Sequence, residues 1–127
     1  MIIIGHPWVE SSHFVKVDQI EEIRHTKPNE VVVLSSLSAS HAIASHCQTN
    51  GIPYAILAAN LLDALFANSL GAKYIICERT LATQVQTVAN VYLFDTRILT
   101  LIQTQEEIEA VAKEGIDGVI FRHALAI

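Results

Sequence analysis

The sequence predicts an α/β sandwich of three layers, built on a mainly parallel, doubly wound sheet of six or seven strands with about five helices. Three observations lead there. Short apolar runs rich in β-branched residues recur along the chain, and they are continuous, as strands covered on both faces require. Helical patterns with recognisable ends lie between them. The spacing of strand, helix and strand implies right-handed crossovers between parallel neighbours. An eight-stranded barrel would need about twice the residues.

Ile2 to Ile4 reads as the first strand and Phe14 to Val17 as the second. Pro7 and Glu10-Ser11-Ser12 disfavour a helix in the loop between them. Asp18, with Glu21 three positions on, has the form of a helix start. Val31 to Leu34 is the next strand, and its helix ends at Gly51, where a left-handed residue is wanted. Ile52 to Leu57 follows, then a helix opened by Asn60 and Asp63 and closed at Gly71. After the strand Tyr74 to Cys77, residues Leu81, Val85, Val88, Ala89 and Tyr92 recur at helical spacing. Leu81 to Phe94 is therefore expected to be one helix, not a helix and a strand. Ile98 to Ile102 is a strand, Thr104 and Glu107 open a helix ending at Gly115, and Ile116 to Phe121 is the last strand. The alternation is Rossmann- or flavodoxin-like and is expected to form a single domain over residues 1–127.

Composition narrows the function classes. A chain of 127 residues needs no disulfide or metal staple. It is 51% hydrophobic and only 17% charged, against about 25% charged in ordinary domains. Apolar surface beyond a normal core must therefore be covered. A membrane does not cover it: the longest apolar stretch, Tyr54 to Ala67, is interrupted by Asn60 and Asp63 and is short of about 20 residues. Met1 to His6 lacks the basic segment of a signal peptide, so a cytoplasmic location is expected. Cys47 and Cys77 form no disulfide framework. A net charge of −5 without a basic cluster argues against nucleic acid.

Ligands of open parallel sheets bind at the carboxyl ends of the strands, near helix starts. That rule selects His6, Ser35, Ser36, Ser38, Ser40, Asn60, Glu78, Arg79, Arg122 and His123, with Gln103 and Thr104 beside them. The run Ser35-Ser36-Leu37-Ser38-Ala39-Ser40 is the strongest candidate. Hydroxyls, free amides and the positive end of a helix dipole suit a small anion there, unless the serines only cap the helix. The run resembles the serine-rich loop of sugar isomerase (SIS) domains, a likeness that implies a phosphosugar. It covers this one strand–loop–helix segment and lacks the glycine usual in that loop. Cys77 beside Arg79 has the ingredients of an activated thiol, yet strand-final cysteines usually belong to the core. Gly5-His6-Pro7-Trp8 either covers a ligand or is a structural loop. His6, His13 and His123 have no ligand spacing, and no metal or cofactor is expected. Dinucleotide, NTPase, hydrolase and zinc-protease motifs are all missing.

From Val31 through Phe94 only Asp63, Lys73, Glu78 and Arg79 are charged. Leu62, Phe66 and Leu70 on one helix, and Gln84, Gln86 and Asn90 on the next, are expected to face another copy of the chain. The reading is a homo-oligomeric binding or regulatory module that takes a small anion at the rim. The alternative is a small enzyme using His6, Glu78 or His123 as acid or base, with Arg79 or Arg122 holding a substrate anion. An assembly protein without a ligand is a third possibility.

Overall fold

The computed structural model describes residues 1–126. Its strands are β1 (Ile2–Ile4), β2 (His13–Lys16), β3 (Glu30–Leu34), β4 (Tyr54–Leu57), β5 (Tyr74–Cys77), β6 (Arg97–Ile102) and β7 (Gly118–Phe121). All seven join one parallel sheet in the order β1-β7-β6-β5-β4-β3-β2. The helices are α1 (Leu37–Thr49), α2 (Leu61–Ser69), α3 (Arg79–Tyr92) and α4 (Glu107–Lys113), with 3₁₀ turns at Ile20–His25 and Arg122–Leu125. The parallel α/β class and its element count agree with the sequence. No helix among the described residues is long and apolar enough to cross a membrane.

Strand order is the part that periodicity does not carry. From β2 to β7 each strand lies beside its successor, so the winding runs one way and lacks the reversal that double winding implies. Right-handed crossovers then put every helix on one face. Ile43, Ala64, Val85 and Val111 from the four α-helices pack there against Val32, Ile56, Ile75, Ile98 and Val119. The alternate strand residues Val31, Val33, Ala55, Ile76, Leu99 and Ile120 build a second core on the other face.

That second face is concave. Phe14 on β2 and Tyr74 on β5 are three strand spacings apart, about 14 Å on a flat sheet. Their ring centroids are nevertheless 5.6 Å apart. The sheet curls until its inner side chains meet across the hollow, and the turn Arg122–Leu125 adds Ala124 and Leu125 to them. The third layer is thus thin and comes largely from the sheet itself. No ladder joins β1 to β2, which leaves a seam between the two edges.

Local signals mostly hold. Asn60 Oδ1 accepts the Asp63 amide at 2.8 Å, and Glu107 Oε2 accepts the amides of Gln103 and Thr104 at 2.7 and 2.8 Å. The first helix start lies one residue later than the sequence suggests. Glu22, not Glu21, receives the Asp18 and Gln19 amides, and a six-residue 3₁₀ turn follows. The region Leu81 to Phe94 is helical, but α3 begins at Arg79 and stops at Tyr92. Leu93 then turns left-handed, with φ of 53°.

Gln86 departs from its expected outward place. It is only 5% exposed. Its Oε1 accepts the Asp117 amide at 2.9 Å, and its Nε2 donates to Asp117 Oδ1 at 3.2 Å and Asn90 Oδ1 at 3.0 Å. Asp117 Oδ2 also accepts the Ile98 amide at 2.9 Å. Polarity alone sends a glutamine outward; here its amide ties α3 to the starts of β6 and β7. Gln86→Ala should therefore lower stability by about 1–3 kcal/mol, the cost of leaving buried partners unmatched. A urea midpoint unchanged from wild type would show that water replaces the amide freely.

Candidate functional site

The serine-rich turn opens α1, and its geometry is already occupied. Ser36 Oγ and Ser38 Oγ are hydrogen-bonded at 2.9 Å. Ser40 Oγ donates to the carbonyls of Ser35 and Ser36 at 2.8 and 3.1 Å. The Leu37 amide donates to Asp63 Oδ1 at 3.3 Å, and the Ala59 amide to Asp63 Oδ2 at 3.0 Å. A carboxylate from α2 thus stands where a phosphate would meet the start of α1. It joins the two helix starts and would repel a second anion there.

Beside it a groove of about 400 Å³ runs between α1 and α2. Ser36, Ser38, His41, Asn60 and Asp63 line one part, and Leu62, Phe66 and Leu70 another. Rim residues and interface residues, read separately from the sequence, meet in this groove. His41 was not among the rim candidates, although its place in the second turn of α1 brings it here.

Both rim arginines are committed to glutamates. Arg122 Nη2 donates to the two oxygens of Glu78 at 2.8 and 2.7 Å. Arg79 uses Nε and Nη2 on Glu114, at 2.9 and 2.6 Å. These charge-assisted bonds hold each guanidinium above its ordinary value and push the Glu114 carboxyl below its own. Glu107 is lowered too, chiefly by the two backbone amides it accepts.

His6 is similarly engaged. Its Nδ1 accepts the Trp8 amide at 3.1 Å, and its Nε2 lies 2.9 Å from Gln105 Oε1. The first of these leaves Nε2 as the protonated nitrogen, donating to Gln105. Trp8 is 86% exposed and stacks edge-on against His6 at 5.0 Å. The cavity beside them, about 340 Å³, is lined by Ile3, Val9, Ile108 and Glu109 as well. His6 and His123 both lie against Phe121, at 5.9 and 5.5 Å between ring centroids, but His123 lines the seam with Ser11, Ser12 and His13. His6 and His123 line separate cavities, and Glu78 is paired with Arg122. Among the described residues, no three His, Cys, Asp or Glu side chains gather as a metal would require.

Cys77 faces the helix-side core and is 2% exposed. Burial, with the Glu78 charge adding to it, pushes its thiol up to about 12. Burial also raises Cys47, and both cysteines are free. A thiol held protonated is no nucleophile. Neither cysteine should react with iodoacetamide in native protein at pH 8, and both should react in urea. Rapid native labelling would mean that the core opens readily. The raised value has a second consequence. Above about pH 9 the unfolded thiol ionises while folded Cys77 does not, so its contribution to stability falls as pH rises toward 12.

Compared with models of known protein families and with curated proteins, the chain matches none.

Proposed function

We propose that this chain is a cytoplasmic, homo-oligomeric binding module that holds a small anionic metabolite at the rim of its sheet. The observation that carries the assembly is a run of exposed apolar side chains on two neighbouring helices. Leu62 is 61% and Phe66 55% exposed on α2, and Leu65 stands with them. Val91, Tyr92 and Leu93 are exposed at the end of α3, Leu93 by 84%. Leucine adopts a left-handed backbone at a cost of about 1 kcal/mol, and here that conformation presents an apolar side chain to solvent.

Charge favours a second copy of the chain as the occupant. The molecule is acidic, with net charge −5, so two copies repel over most of their surface. They meet without that penalty where charge is depleted, which is also what marks the centre of an interface. Gln84 and Asn90 are exposed on α3, whereas Gln86 is turned inward and is not available. Leu62, Phe66 and Leu70 in the α1/α2 groove offer a recess to apolar side chains of the partner. Two unpaired thiols suit a reducing compartment. The enzymatic alternative draws no support, because its acids, bases and cations are separated or paired.

Light scattering coupled to size exclusion tests the reading. A dimer or larger species is expected at micromolar concentration, and a monomer at high micromolar concentration would end it.

A further inference from the structure

The seam between β1 and β2 gathers four polar side chains around one cavity, with Ser12, His13 and His123 exposed. It holds a cavity of about 340 Å³ lined by Ile4, Gly5, Ser11, Ser12, His13, Phe14, His123 and Ala124. Among the described residues, the side chains of Ser11, Ser12, His13 and His123 make no hydrogen bond to the protein, unlike Ser36, Ser40, His6 and the two rim arginines. The groove sets His41 beside Asp63, and the cavity at Trp8 sets His6 beside Glu109. His13 and His123 both line the seam, and among the described residues no carboxylate side chain does.

Backbone groups add donors. Val17 donates its amide to the Val33 carbonyl, so the odd-numbered amides of β2 serve the ladder to β3. The Phe14 amide therefore faces the open edge. Gly5, at φ +97°, brings the chain close to the turn after β7, where an added Cβ would lie 3.4 Å from His123 Cε1 and 3.2 Å from Phe121 Cβ and Ala124 Cβ. A side chain at residue 5 would crowd this space.

We infer that the seam is a binding site for a small oxyanion, a carboxylate or a phosphate, held between His13 and His123 with the hydroxyls of Ser11 and Ser12. Imidazole N–H groups, hydroxyls and an amide are all donors to oxygen, and Ile4, Phe14 and Ala124 accept a short apolar body behind the charged head. The inference gives a place and a chemistry to the ligand proposed above. It is separable from the assembly, because α2 and α3 pack on β5 and β6 while the seam lies between the outer edges of the curled sheet.

Thermal unfolding in increasing phosphate, and separately propionate, at constant ionic strength tests it. Wild type should show a saturable rise in melting temperature with at least one of the two. His13→Gln combined with His123→Gln should weaken that response at least tenfold, while Ser36→Ala with Ser38→Ala leaves it intact. Phosphate alone acting, or propionate alone, identifies which oxyanion the seam reads. Three results overturn the inference: no saturable rise with either anion, an equal rise in the double histidine variant, or loss of the rise in the serine variant alone. Circular dichroism should match wild type for both variants, and light scattering should match it for the histidine variant, since His13 and His123 take no part in the proposed interface.

Discussion

Gly118→Val is expected to destabilise the domain by about 3 kcal/mol or more, at the upper end of what overpacking costs. Gly118 begins β7 and pairs with Ile2 on one side and Leu99 on the other. A Cβ at this position would overlap the Ile2 carbonyl oxygen, lie 2.6 Å from Ile2 Cβ and come within 2.8 Å of Leu99 Cδ2. The first of these is backbone and cannot step aside by changing rotamer. Either β1 leaves the sheet or β7 shifts against β6, and both expose the inner core around Ile4, Leu99 and Ile120. Urea unfolding measures the loss. A midpoint within error of wild type would mean that β1 contributes little and detaches freely.

Phe66→Glu is expected to dissociate the assembly without unfolding the protomer. More than half of Phe66 is exposed in the single chain, so a carboxylate there is solvated in the monomer. In an interface the same carboxylate is buried without a partner, at a cost of several kcal/mol. About 4 kcal/mol is roughly a thousandfold in dissociation constant. The variant should elute and scatter as a smaller species than wild type while retaining its helical circular dichroism. An unchanged assembly would move the interface away from α2. Loss of folding would assign Phe66 to the core of the protomer.

Much of the architecture is legible in the chain because strands and helix ends are local matters. Val31 to Leu34 and Tyr74 to Cys77 announce themselves as continuous apolar runs, and Asn60 with Asp63 announces a helix start. The winding is not local. A strand buried under helices on one face and under the opposite wall of a curled sheet on the other reads like a strand between two helix layers, since both exclude water from both faces. Gln86 turns inward for a related reason: its partner Asp117 lies 31 residues away. The rim residues were found by topology, but their availability was not visible. Only the folded chain brings Glu78 to Arg122 or Asp63 to the Leu37 amide. The seam is the extreme case. His13 and His123 carry no shared motif, and the curl of the sheet brings their strand ends together.

The pairing of β1 with β7 orders events during synthesis. The ladders β2 to β3, β3 to β4 and onward join neighbours in sequence, so each can form as its second strand leaves the ribosome. β1 is made before the other strands, yet among the described residues its only ladder is to Gly118–Ile120. Ile2, Ile3 and Ile4 therefore remain without a backbone partner throughout elongation of the intervening segment. The inner core cannot be sealed along that edge until β7 has emerged, so closure of this side of the domain is the last step of vectorial folding.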